Sequence, residues 1–336
     1  MAIHPSWVWP AIVALVVTAC GDATSTPTPT DSAVAREALR ALIEDVAGAT
    51  AHRYGATDDS GHTMDTVKII EVEATGEFAG VYHAWRDDPG VFEVHLATST
   101  DLLTWTWQVM LSSEASQPTI RAAQDGGYVT AWEVSRLAEV SRLAGDPSPP
   151  SFAYYPTWEA LLAAQPTKTY EAELSLSPCC EGTPNLYSAS SVAADVGIHY
   201  YDDYVVDREA RGTMTWTGWS VTKQPQLDAA LTSLGVEGMI GDRDAIRFQG
   251  FDFLLLEGQL QLHDNGAWRI FLVDGLTGTA LPLDIRTRQG KVSLSNATLE
   301  LVELDGRPAL VIGMFIHQGT DAESGQLIYY RTLDGD

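Results

Sequence analysis

Five times along this chain a polar or acidic turn leads into a short strand, a Gly or Asp-Gly break, and then an aromatic strand. The openings fall near residues 65, 118, 181, 242 and 295. Their spacing, roughly 53 to 63 residues, is the length of a four-stranded antiparallel sheet with its loops. A ring of such units buries each sheet against the next and turns the leading residues toward one centre. The pattern predicts an all-β chain, a five-bladed β-propeller over residues 60–336 with a short N-terminal helix. Two packed β-sandwiches would explain the alternating strands but not the recurring opening.

The 336 residues suffice for a ring of this size, and 45% hydrophobic residues with ten Trp support a packed core. The formal charge of −25, from 20 basic and 45 acidic side chains, excludes a nucleic-acid partner, which needs a basic footprint. The same acidity leaves room for Ca²⁺ in a central channel, although no cofactor is required. No phosphate-binding Gly loop, zinc-ligand spacing or Gly-x-Ser-x-Gly elbow occurs.

Ahead of the repeats, residues 1–19 form a short apolar run ending in Val17-Thr18-Ala19 before Cys20. The run is too short to be a comfortable spanning helix. It resembles a bacterial lipoprotein signal peptide, although its leading segment has no Lys or Arg. That resemblance implies a lipid on Cys20 and a location in the cell envelope, facing the periplasm or exterior, with a lipid as the link to the membrane. Residues 20–32 read as a polar, Pro-containing tether. Residues 33–59 read as a helix over 33–47, capped by Asp31 or Ser32, and a lead-in. The hexapeptide EVSRLA occurs twice in tandem at 133–144 and reads as a loop insertion.

The residues that open each unit are Asp65, Gln117, Glu181, Asp242 or Asp244, and, less directly, His317 near the last unit. Carboxylates converging on one funnel push one another's pKa values apart, as acid–base division of labour requires. Each has a plainer reading. Glu181 could pair with Arg243 or cap a turn, Asp65 could be a turn residue, Asp242 and Asp244 could form ion pairs with Arg243, and His317 could be a satisfied, partly buried histidine. Adjacent Cys179 and Cys180 either form a vicinal disulfide or remain two buried thiols.

Ser99-Thr100-Asp101-Leu102-Leu103-Thr104-Trp105 resembles the Ser-x-Asp-Leu-x-x-Trp element of five-bladed propeller glycoside hydrolases of the family 43, 32 and 117 type. Glu181-Gly182-Thr183-Pro184 is similar to the Glu-Gly-Pro-like motif that carries the acid in family 43, with one residue inserted. The resemblance implies a glycosidase with Asp65 as base, Glu181 as acid and Asp242 in the catalytic set. Arg243, Asp244, Gln117 and His317 would contact substrate. Gln117 stands where the family has an Asp, so the implied set lacks one charge. Two functions follow: hydrolysis of a glycosidic bond, or glycan binding without catalysis on a degenerate propeller. The chain is expected to be a monomer with a glycan ligand.

Overall fold

The computed structural model describes residues 28–333 except 89, 135–147, 204, 291–292 and 321. The signal run, Cys20, most of the tether and most of the EVSRLA repeat lie outside the described residues.

Helix α1 (Pro29–Glu44) begins four residues before the expected start. Thr28 accepts the Asp31 amide N–H at 3.2 Å, and the Asp31 carboxylate accepts the Thr28 N–H at 3.2 Å. This reciprocal cap, with Pro29 preset for the first turn, draws the end of the expected tether into the helix. Ser32, Ala35, Leu39 and Ile43 make its buried stripe, packed into the core of the last two sheets. Ser32 Oγ also donates to Asp274 Oδ2 at 2.7 Å.

Strand β1 (Ala51–Arg53) follows the helix. The first blade is β2 (Asp65–Val72), β3 (Glu77–Arg86), β4 (Val91–Ser99) and β5 (Thr106–Ser113). The second is β6 (Ala115–Ala122), β7 (Tyr128–Val134), β8 (Pro150–Tyr155) and β9 (Lys168–Glu171), with α2 (Trp158–Leu162) between its last two strands. The third is β10 (Glu181–Ala189), β11 (Ala193–Asp202), β12 (Val206–Thr215) and β13 (Gly218–Lys223), followed by α3 (Pro225–Thr232). The fourth is β14 (Ile240–Phe248), β15 (Phe251–Gln259), β16 (Trp268–Asp274) and β17 (Ala280–Pro282). The fifth joins β18 (Leu294–Leu304), β19 (Arg307–Thr320) and β20 (Glu323–Thr332) to β1, which pairs antiparallel with β20. The first strand thus closes the ring as the outer strand of the last sheet.

The first strands β2, β6, β10, β14 and β18 touch in sequence around the centre. Their starts match the five openings read from the sequence. In the third blade, turns at Asp203 and at Trp216-Thr217 separate β11 from β12 and β12 from β13. The second of those turns, Trp216-Thr217, contains no Gly, Asn or Pro to mark it.

Between blades one and five, the Ser-x-Asp-Leu-x-x-Trp element does two jobs. Asp101 Oδ1 accepts the amides of Leu103 and Thr104 at 2.8 and 2.6 Å and so closes the turn. Trp105 is buried beside Val67 and Phe78, with its indole N–H on the Leu102 carbonyl at 3.1 Å. Its ring lies 3.0 Å from where a Cβ on Gly80 would stand, so a side chain there would have to push Trp105 or Val67 aside by a few tenths of an ångström.

Nearer the axis, Lys68 ties three blades together. Its ammonium donates to Asp244 Oδ2 at 2.6 Å, the Leu299 carbonyl at 3.0 Å and Glu300 Oε2 at 3.1 Å. Asp244 Oδ2 also accepts the Leu299 amide at 2.8 Å. Lys68 and Asp244 are buried, so removing one partner strands a charge out of water. Lys68→Ala should lower stability by about 3–5 kcal/mol in a denaturant melt; a loss below about 1 kcal/mol, the scale of an exposed pair, would show that this junction does not hold the ring.

Candidate active site

Every inner strand slips register near its start. The bulges lie between Asp65 and Lys68, Ser116 and Thr119, Gly182 and Asn185, Asp242 and Asp244, and Ser295 and Thr298. Four of them place a non-glycine residue in the left-handed region: Thr66 (φ 58°), Gln117 (53°), Thr183 (49°) and Asn296 (53°). A bulge removes an amide from its own ladder, and a buried amide needs another acceptor.

That acceptor comes from the preceding blade. Gln117 N–H donates to His83 Nδ1 at 2.9 Å. Thr183 N–H donates to Glu133 Oε2 at 3.2 Å, and the Thr183 hydroxyl donates to the same oxygen at 3.4 Å. Asn296 N–H makes a short hydrogen bond to Glu257 Oε2. Thr66 N–H closes the circle on Gln326 Oε1 at 3.0 Å. At the remaining junction the polarity is reversed: His199 Nε2 lies 3.2 Å from the Asp242 carbonyl and donates to it. His83, Glu133, His199 and Glu257 occupy matched positions on second strands, opposite Asp65, Ser116, Gly182 and Gly241.

Glycines make room for two of these side chains. A Cβ on Gly182 would stand 2.4 Å from Glu133 Oε2, and one on Gly241 would stand 2.0 Å from His199 Cε1. Those two glycines set how closely neighbouring blades approach.

The bulge residues Gln117, Thr183, Arg243 and Asn296 of blades two to five, with Glu133, His199 and Glu257, line a cavity of about 250 Å³. Glu133, Asp207, Glu257, His199 and Arg243 are ionisable residues of its lining, and Gln117, Thr183 and Asn296 add hydrogen-bonding groups. Cys180, Tyr201, Trp268 and His317 form part of its wall. Arg243 Nη2 donates to Gln117 Oε1 at 3.1 Å, and its Nε lies 3.9 Å from Glu257 Oε2. Burial raises the Glu257 carboxyl above its ordinary range, against the pull of Arg243 and the Asn296 amide. Burial lowers His199 to about 3, with Arg243 adding to the effect, so its imidazole is neutral. His317 is lowered by burial to about 4; it bonds Ser295 Oγ at 2.6 Å and stacks on Trp268 with an interplanar angle of 13°.

Of the residues singled out from the sequence, Gln117, Arg243 and His317 line this cavity. Four others do not. Glu181 is fully buried, and its Oε1 accepts the amides of Ser175 at 2.5 Å, Leu176, and Ser177 at 2.9 Å. It holds the loop before its own strand and is not part of the cavity lining. Asp242 is buried, accepts Asn185 Nδ2–H at 2.9 Å, and is held well above the carboxylate range by burial. Asp244 belongs to the Lys68 junction. Asp65 lies half-buried at the mouth of blade one, in the register that Gly182 and Ser295 hold on theirs, and burial lifts its carboxyl to about 6.

Glu133, His199 and Glu257 stand on second strands, away from the openings that the sequence pattern marks. The available signal was a charged or imidazole side chain set into an otherwise apolar second strand, as in Ala131-Trp132-Glu133, Gly197-Ile198-His199 and Leu255-Leu256-Glu257. Asp244 and Glu300, the carboxylates paired at the Lys68 junction, already share an ammonium cation. No group of three or more His, Cys, Asp or Glu among the described residues is gathered as for a metal ion. The two cysteines form the vicinal disulfide that was one of the two readings.

No family model matches this chain, and no curated protein sequence matches it. Solved structures do. A protein titled simply glycoside hydrolase aligns with a TM-score of 0.61 at 9% identity, over 92% of this chain and 97% of its own. The endo-arabinase from Bacteroides thetaiotaomicron VPI-5482 aligns at 0.53 and 12% identity, over 84% and 99%. A thermostable family-43 glycoside hydrolase aligns at 0.53 and 8% identity, over 83% and 92%. At such identities the likeness is one of fold, the five-bladed β-propeller.

Two expectations follow from the geometry. Glu181→Ala leaves three loop amides without their acceptor and should cost about 1–3 kcal/mol in a denaturant melt; an unchanged midpoint would return Glu181 to the list of free acids. Asp65 has a folded pKa above its unfolded value, so its contribution is complete below about pH 4 and disappears as pH rises through 6. The stability difference between wild type and Asp65→Asn should therefore change between about pH 4 and 6, by about 2–3 kcal/mol. A difference flat across that window would contradict the burial of Asp65.

Proposed function

We propose that this chain is a glycoside hydrolase, exported and tethered to the cell envelope by a lipid on Cys20. One observation carries the enzymatic part: of the three carboxylate residues that line the cavity, Glu133, Asp207 and Glu257, the two glutamates come from non-adjacent blades, and an amide of the next blade fixes one oxygen of each. In this reading Glu257, whose carboxyl burial raises above its ordinary range, gives its proton to the oxygen leaving the anomeric carbon. Glu133 takes a proton from the water that attacks the opposite face of the sugar. Arg243, held by Gln117, and neutral His199 bind ring hydroxyls. Trp268 and Tyr201 take the apolar faces. The resemblance of Ser99–Trp105 to propeller glycosidases and the shared fold support the same class. Among the described residues no helix is long and apolar enough to cross a membrane; the attachment proposed is the lipid on Cys20. We take the protein to be a monomer.

A second reading, glycan binding without turnover, draws on Glu181. The residue that the family resemblance marks as the acid is buried and bound to backbone amides.

The test is a hydrolysis screen over oligosaccharides and aryl glycosides with wild type, Glu257→Gln and Glu133→Gln. Each substitution should reduce kcat by about 10²–10⁴-fold. Because the Glu257 pKa is raised, wild-type kcat should hold above the ordinary carboxylate range and fall on the alkaline side as Glu257 loses its proton. Turnover that survives both substitutions would remove these residues from catalysis. Binding by calorimetry with no turnover would favour the second reading.

A further inference from the structure

We propose that the Cys179–Cys180 disulfide is a ligand-contacting wall of the cavity, a fixed apolar surface against which one face of a sugar ring packs. This rests on the glycan reading of the site.

The two sulfurs are bonded and Cys180 lines the cavity, while Cys179 is buried behind it. The backbone polar groups of the pair are already engaged. Ser177 Oγ accepts both amides at 3.4 Å. The Cys179 carbonyl accepts Ser148 N–H at 3.0 Å, and the Cys180 carbonyl accepts Tyr201 N–H at 3.1 Å. What Cys180 offers the cavity is therefore sulfur and methylene, a weakly polar and polarizable surface.

A stabilising role explains the bond poorly. A disulfide stabilises mainly by closing a loop in the unfolded chain, and the benefit shrinks with loop length. Here the separation is one residue. The bond instead removes side-chain rotation at one point of the wall, so a ligand that packs there immobilises no rotor.

The surroundings fix that point relative to the candidate chemistry. Glu181, directly after Cys180, holds amides 175–177. Gly182 and Thr183, next along, hold Glu133. Ser148 of blade two and Tyr201 of blade three, whose amides bond to the pair, line the same cavity. A sugar ring has a polar edge and an apolar C–H face. Glu133, Glu257 and Arg243 suit the edge, and the disulfide, with Tyr201, suits the face.

The experiment compares the full chain oxidised, reduced with dithiothreitol, and as the double variant Cys179→Ser with Cys180→Ser. Reduction passes two electrons from the dithiol to the protein disulfide, leaving two new thiols and the cyclic disulfide of the reagent; thiol counting verifies it. Oligosaccharide affinity is read by calorimetry, KM and kcat on any hydrolysed substrate, and the fold by the melting temperature. Reduction and the double variant should each weaken affinity and raise KM by about tenfold, with kcat nearly unchanged, the pattern of lost uniform binding. Equal affinity in all three forms overturns the proposal, as does a fall in melting temperature and kcat together, which marks a structural bond. If the oxidised chain binds no oligosaccharide, the glycan reading fails and the wall fails with it.

Discussion

Each inner strand bulges near its start, and in four of the five junctions the freed amide is accepted by a side chain from the blade before it. The rest of the centre depends on that exchange. Non-glycine residues at φ near +50° carry a steric cost of roughly 1–2 kcal/mol each. The cost is tolerable because the same backbone turn aims an N–H across the blade junction at a polar group buried for the purpose. His83, Glu133, Glu257 and Gln326 are those groups. They pack the ring and, in the same contacts, are fixed in orientation.

This arrangement bears on chemistry through preorganisation. A carboxylate with one oxygen held by a backbone amide has a single position in which to meet a ligand. Glu133 and Glu257 share that restraint but differ in surroundings. Burial raises the Glu257 carboxyl above its ordinary range, and its Oε2 is 3.9 Å from the Arg243 guanidinium. Below, the Lys68–Asp244–Glu300 junction fills the centre with a paired cation, while the charge-bearing cavity opens on the face where the inner strands begin.

The ring itself was legible in the sequence. Five openings at blade-length intervals fall where the five inner strands start, and Asp101 and Trp105 mark a turn and a blade junction by residue type alone. The site was legible only in part. Gln117 and Arg243 sit on bulges and reach the cavity, as residues leading a strand can. Glu181 and Asp242 have the same sequence signature, yet a bulge rotates the chain, so neighbouring positions point into different junctions. No local pattern reports that rotation. The acceptors on the second strands were hidden for another reason: their role comes from a partner 34 to 50 residues away in sequence, as for Gln117 on His83, Asn296 on Glu257 and Thr183 on Glu133. The start of the helix was missed for a local reason, since the Thr28–Asp31 cap lies inside a stretch whose Thr and Pro content reads as tether.

A crystal structure of Glu257→Gln with an oligosaccharide bound tests this account most directly. The account predicts a sugar in the funnel, with the glycosidic oxygen within hydrogen-bond reach of residue 257 and a water held by Glu133 on the opposite face of the ring. It predicts the amides of Thr183 and Asn296 still bonded to residues 133 and 257. A sugar seated elsewhere on the ring, or one in the funnel that touches neither residue, would contradict it.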